Sequence, residues 1–151
     1  ICMTEKWDRR FLDLAKHISD WSLDPSTKVG AVAVKDRRVL ATGYNGLPRG
    51  IADLPGRLNN RDEKYLRTVH AEANIVAQAA RFGIDMSGST VYVWPFLPCC
   101  NCTTLMIQAG VRRIVVPELP IPDRWQANFN LSVDMLREAG VDLMQLPVEE
   151  Q

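Results

Sequence analysis

Residues 90–116 read TVYVWPFLPCCNCTTLMIQAGVRRIVV. Thr90 to Trp94 are all β-branched or aromatic, which predicts a strand, and Pro95 stops it. Cys100 to Ala109 predicts a short helix, closed by Gly110. Arg113 to Val116 predicts the next strand. A strand, a helix and a strand in immediate succession place the chain among proteins with helices packed on a sheet.

The same alternation extends in both directions. Toward the N-terminus, a helix is expected from about His70 to Phe82, with Gly83 placed to cap it. Before it, residues 45–60 form a long loop punctuated by Gly46, Pro48, Gly50, Pro55 and Gly56, and a loop of that length in a compact fold is usually functional or mobile. Val29 to Val34 and Val39 to Tyr44 read as two strands around a hairpin turn at Asp36-Arg37. Trp7, Phe11, Leu14, Ile18 and Trp21 recur at steps of three and four, the apolar face of a first helix, which Asp24-Pro25 ends. Toward the C-terminus, Pro117, Pro120 and Pro122 force an extended connection. Leu131 to Ala139 is a last helix closed by Gly140, and Val141 to Leu146 a fifth strand. The expected fold is α/β, with one mixed five-stranded sheet between helices on both faces. No internal repeat or low-complexity tract interrupts it.

With 151 residues, 46% of them hydrophobic, the chain can bury one core and is expected to form a single domain over residues 1–151. Its 18 basic residues equal its 18 acidic ones, so nothing suggests coating DNA or RNA through a basic surface. One or two local cations would still serve a small anionic ligand. No apolar run approaches the ~18 residues of a membrane span, and no basic-then-apolar leader is present. The expected setting is cytoplasmic, with no membrane partner. Met3 is a candidate first residue, preceded by Ile1 and Cys2.

Three of the four cysteines are Cys99, Cys100 and Cys102. Such clustering closes only strained disulfide loops and is ordinary for metal chemistry in a reducing compartment. Zinc takes sulfur and imidazole ligands in a tetrahedron, and a catalytic site keeps one position for water. His70, Cys99 and Cys102 supply three ligands, and two thiolates with a neutral imidazole balance the dication. Both segments stand at expected helix starts, where backbone N–H groups favour thiolate. Residues two apart on a helix point about 200° apart. Unless the helix start is distorted, Glu72 therefore stands beside the open position instead of binding the metal, and is placed to carry protons. A redox Cys-x-x-Cys pair and a purely structural zinc are the alternatives. A structural site wants a fourth ligand, and Cys100, Cys2 and His17 are poor candidates for it.

His70-Ala71-Glu72 followed by Pro98-Cys99-Cys100-Asn101-Cys102 matches the signature of zinc nucleobase deaminases. Asp24-Pro25-Ser26-Thr27-Lys28-Val29-Gly30-Ala31, Gly43-Tyr44-Asn45-Gly46-Leu47-Pro48-Arg49-Gly50 and Lys64-Tyr65 carry the likeness further. The chain resembles the deoxycytidylate (dCMP) deaminases of the cytidine deaminase superfamily, from the first helix to the last strand.

The resemblance implies a three-layer α/β/α cytidine deaminase-like fold and hydrolysis of dCMP to dUMP and ammonia, with one catalytic zinc per subunit on His70, Cys99 and Cys102. Glu72 would protonate the ring and then the leaving amine. Asn45 would bond the sugar hydroxyl, and Lys28, Lys64, Tyr65, Thr68 and Ala71 would lie along the nucleotide. Trp125 falls where relatives carry an aromatic residue, often Tyr, that closes over the substrate. The family further implies a homohexamer activated by dCTP with Mg²⁺ and inhibited by dTTP, at a site using Asn45, Gly46, Arg49 and Gly50. A second zinc held ahead of the His-x-Glu helix in some relatives is not expected, because this chain lacks the extra Cys and His there. The enzymatic alternative is deamination of cytidine or another small heterocycle. The non-enzymatic one is a binding module stapled by zinc.

Overall fold

A computed structural model describes residues 3–148 of the chain. Ile1 and Cys2, which precede the candidate first residue, lie outside the described residues. In chain order the elements are α1 (Met3–Ser19), β1 (Gly30–Lys35), β2 (Arg38–Tyr44), α2 (Arg61–Arg67), α3 (Ala71–Phe82), β3 (Thr90–Trp94), α4 (Cys100–Gln108), β4 (Arg113–Glu118), a 3-10 turn (Asp123–Trp125), α5 (Gln126–Ala139) and β5 (Asp142–Pro147).

The strands form one five-stranded sheet in the order β2-β1-β3-β4-β5. β1 runs antiparallel to both β2 and β3, while β3, β4 and β5 are parallel. The mixed sheet expected from the sequence is the one observed. The β1–β2 hairpin turns at Asp36 and Arg37, both at positive φ (52° and 61°), the backbone of a tight type I′ connection.

Strand periodicity divides the core in two. Val32 and Val34 of β1, Tyr92 of β3, Val115 of β4 and Leu146 of β5 face α1, which meets them with Phe11, Leu12, Ala15 and Ile18. The alternate residues Ala31, Ala33, Val91, Val93, Ile114 and Val116 face Ile75 and Ala79 of α3, Met106 of α4, and Phe129 and Leu136 of α5. The result is three layers, with α1 on one face and α3, α4 and α5 on the other. α1 lies so close to β1 that a Cβ on Gly30 would stand 2.1 Å from the Ala15 carbonyl oxygen.

Four expectations need correction. α1 ends at Ser19, so Trp21 is not on its buried face; it is 53% exposed and makes a T-shaped contact with Tyr44. Residues 61–67 form a helix that the apolar pattern did not show. α2 buries no residue, and periodicity reports only faces that are buried. Its start is set by Asn60, whose side chain accepts from the amides of Asp62 and Glu63. β4 continues through Pro117, which sits opposite Leu146 of β5; the extended connection begins later. α5 starts at Gln126, five residues before Leu131, because its first turn is anchored by Phe129.

Candidate active site

The pairing places Gly30 opposite both Tyr44 and Trp94. The C-terminal ends of β2 and β3 therefore meet the N-terminal end of β1 at one end of the sheet. α3 and α4 both begin there, and a cleft of about 480 Å³ opens between them.

His70 is the residue before α3, with extended backbone (φ −68°, ψ 153°), and Cys99 holds the same place before α4 (φ −66°, ψ 166°). Neither side chain caps its own helix. His70 is set by the segment before it: Val69 and Gly46 exchange backbone hydrogen bonds of 2.8 and 3.1 Å. Gly43 lets α3 approach β2, since a Cβ there would lie 2.7 Å from the Ala71 carbonyl oxygen. Asn74 completes this join by donating to the Tyr44 carbonyl at 2.8 Å.

The His70 Nδ1 lies 3.4 Å from the Sγ of Cys99 and 3.4 Å from the Sγ of Cys102, and the three atoms lie within 4.8 Å of one another. Zinc–sulfur and zinc–nitrogen bonds of about 2.3 and 2.0 Å put tetrahedral corners roughly 3.5–3.8 Å apart. The donors thus fit zinc in type and spacing. They share a proton network. A hydrogen bond from Cys102 holds Cys99 down at about 4, against its burial. The hydrogen bond to Cys99, followed by burial, pushes Cys102 up, and the bond with Cys99 also raises His70.

Glu72 is 4% exposed and within hydrogen-bonding reach of Cys102. Burial pushes its carboxyl up to about 7, opposed by the nearby His70 charge. It does not belong to the three-donor cluster, yet it lines the same cleft.

The other expected residues divide. Asn45, Lys64, Tyr65, Thr68, Ala71 and Trp125 line the cleft; Lys28, Gly46, Arg49 and Gly50 do not. Asn45 is already engaged: its Oδ1 accepts from the Val29 amide at 2.8 Å, and its Nδ2 donates to Thr27 O at 2.9 Å and Asp24 at 3.3 Å. Lys64 pairs with Asp24 at 3.0 Å. Thr68 Oγ1 and Ser89 Oγ are the buried side-chain polar atoms without a partner among the described residues. Of these, Thr68 lines the cleft. Trp125 stacks on Phe129 (6.1 Å between ring centroids), which packs against Phe96. Ser26 and Thr27 of the family-like segment before β1 also line the cleft, as do Arg61 and Arg124, which no sequence motif marks. Arg61 opens the helix that periodicity misses, and Arg124 stands beside Trp125 with no pattern to mark it.

A buried carboxyl next to a His/Cys/Cys cluster, at the helix starts of a three-layer sheet, defines a hydrolytic deaminase. The sequence model described as "Cytidine and deoxycytidylate deaminase zinc-binding region" matches residues 5–118. A protein of Aliivibrio fischeri described as "Uncharacterized deaminase in luxG 3'region" is 39% identical over 149 residues, covering 97% of this chain and 98% of that one. The deoxycytidylate deaminase of Mycobacterium phage D29 is 39% identical over 124 residues, 74% of this chain and 94% of that one. The crystal structure of the dCMP deaminase from cyanophage S-TIM5 in complex with dCMP and dUMP superposes with a TM-score of 0.74 at 26% identity, over 97% of this chain and 99% of that one. The chain belongs to the cytidine and deoxycytidylate deaminase family. No helix among the described residues is long and apolar enough to cross a membrane.

Proposed function

We propose that the substrate is dCMP, hydrolysed to dUMP and ammonia. The observation that carries this reading is the make-up of one cleft: the His70/Cys99 donors and Glu72 share its wall with the cations Arg61 and Arg124, in addition to Lys64, whose charge is paired with Asp24. A site for a free base or nucleoside has no use for that charge, whereas a 5′-phosphate does. The names of the phage relatives support the same reading.

His70, Cys99 and Cys102 would hold a single zinc ion, which when bound would supply a water made nucleophilic near neutral pH. Glu72 is placed to take a proton from the attacking water and deliver it to N3 of the cytosine ring. Once C4 is tetrahedral and bears the new hydroxyl, Glu72 takes the second proton from that hydroxyl and delivers it to the departing amine, which leaves as ammonia as the C4 carbonyl of dUMP forms. Thr68 Oγ1 offers an unused hydrogen-bonding group to the nucleotide, and the Trp125–Phe129 stack closes one side. The engaged Asn45 amide retains acceptor capacity on Oδ1 for the sugar hydroxyl.

Regulation by dCTP with Mg²⁺ and by dTTP, in a homohexamer, belongs to the same proposal. Its site would include Arg49 and Gly50, which are exposed outside the cleft on the loop that leaves β2.

The deciding experiment follows ultraviolet absorbance loss on dCMP, dCTP, cytidine and cytosine, with dCTP or dTTP added at fixed dCMP. Preferential turnover of dCMP is expected. Cytidine turning over better than dCMP would overturn the nucleotide reading.

A further inference from the structure

Both residues that precede the site helices spend their side chains on the donor cluster. Cys99 stands at the N-cap of α4 and makes no side-chain cap bond, although the first amides of any helix lack an intrahelical partner. The partner for one of them comes from another helix. Asn128 of α5 accepts the Cys100 amide on Oδ1 at 2.8 Å, and its Nδ2 donates to the Cys100 Sγ at 3.3 Å. The two bonds fix the orientation of the amide, because turning it over would aim donor at donor.

We propose that Asn128 is a positioning residue for the metal-ligand turn. It caps α4 from α5 and so frees the Cys99 sulfur for the metal. The same helix carries Phe129, which stacks on Trp125 and packs against Phe96. Asn128 thereby ties the aromatic wall of the cleft to the turn that carries Cys99 and Cys102. The backbone bond is the essential one; the contact with the Cys100 sulfur is accessory. The inference rests on the zinc reading of His70, Cys99 and Cys102.

Its test is the rate of zinc release from the purified protein to a chromogenic chelator, with Co²⁺ substitution as a spectroscopic check on ligand geometry. Asn128→Leu keeps the bulk and removes the acceptor; release about 10-fold or more faster is expected, the range for losing an outer-shell partner. Asn128→Asp keeps an acceptor for the Cys100 amide and should recover most of the retention. Cys100→Ala removes only the sulfur contact and should release zinc as the unmodified protein does. Melting curves of the chelator-treated proteins separate positioning from packing. Metal-free Asn128→Leu should melt close to its metal-free parent, while the Co²⁺ thiolate bands shift. Unchanged release in Asn128→Leu, no recovery in Asn128→Asp, or a metal-free melting loss that accounts for the whole effect overturns the proposal. If the parent protein takes up no zinc, the underlying metal reading fails as well, and that outcome is distinct because all variants then behave alike.

Discussion

The Asp24 carboxylate lies 3.0 Å from the Lys64 ammonium, with 3% and 15% of the two side chains exposed. The same carboxylate accepts from the amides of Ser26 and Thr27 and from Asn45 Nδ2. One buried charge therefore holds α2, the approach to β1 and the start of the glycine loop together. α2 buries nothing of its own, so this pair is its principal anchor. Lys64→Met leaves Asp24 buried with amide donors only and should cost about 3 kcal/mol in urea denaturation. It should also raise KM for dCMP more than it lowers kcat. A double-mutant cycle with Asp24→Asn should give a coupling on the order of 1 kcal/mol or more; additive effects would show that the pair does not act as a unit.

Glu72 and the donor cluster make separable predictions. Glu72→Gln preserves volume and leaves His70, Cys99 and Cys102 in place. Zinc content should stay at the parent value while kcat falls by about 10²–10⁴-fold or more. Cys99→Ala and Cys102→Ala should lose the metal itself, measured by elemental analysis after gel filtration. A full metal complement in either cysteine variant contradicts the ligand assignment. Parent-like turnover in Glu72→Gln contradicts the proton role.

Gly43 links strand packing to the chemistry. A Cβ there meets the Ala71 carbonyl oxygen at 2.7 Å and Asn74 Cβ at 3.0 Å, both at the start of α3. Gly43→Ala must displace the turn that bears His70 and Glu72, and small shifts of catalytic groups are expensive. A fall of about 10²-fold in kcat/KM is expected, together with a stability loss of about 1–3 kcal/mol. Gly30→Ala is the control: its Cβ collides with Ala15 and Ser19 of α1, on the opposite face of the sheet. Its effect should fall on unfolding free energy, with the remaining folded protein retaining its zinc.

What the sequence disclosed follows what each residue does. The central strands are buried on both faces, Val91 and Val93 toward one core cluster and Tyr92 toward the other, so they show as short continuous apolar runs, while α1 buries one face and shows its period directly. His70, Cys99 and Cys102 were legible because metal chemistry restricts residue type and spacing. His70 lies before α3 in extended backbone, so the offset of about 200° between helical residues two apart does not relate it to Glu72. The separation of roles stands on the three-donor geometry instead. The cleft wall was less legible. α2 leaves no apolar period, Arg61 and Arg124 resemble any surface arginine, and Lys28 belongs to a family-like segment yet is exposed and not part of the cleft wall, unlike its neighbours Thr27 and Val29. Those placements depend on tertiary packing that no local pattern encodes.

A second buried carboxylate, Asp8, makes stability depend on alkaline pH far from the site. Tyr92 of β3 is buried and donates its phenol hydrogen to Asp8 at 2.7 Å, while Arg113 of β4 grips the same carboxylate with two nitrogens, one of them at 2.8 Å. Burial, then the bond to Asp8, raises the Tyr92 pKa well above its ordinary value; Arg113 opposes this only in part. The native state therefore binds the phenol proton more tightly than the unfolded chain does. By linkage, the resulting stability is fully present below the unfolded tyrosine value of about 10 and is lost as pH rises above it. Urea midpoints should be insensitive to this group up to about pH 9 and fall steeply beyond about pH 10. Tyr92→Phe removes the titrating group: it should cost about 1–2 kcal/mol at neutral pH, through the unpaired Asp8 oxygen, and flatten the alkaline fall. A difference absorbance titration at 295 nm between the parent and Tyr92→Phe should show this phenolate appearing only as the parent unfolds. Its appearance in the folded protein near pH 10 would show that the Asp8 network does not hold the proton.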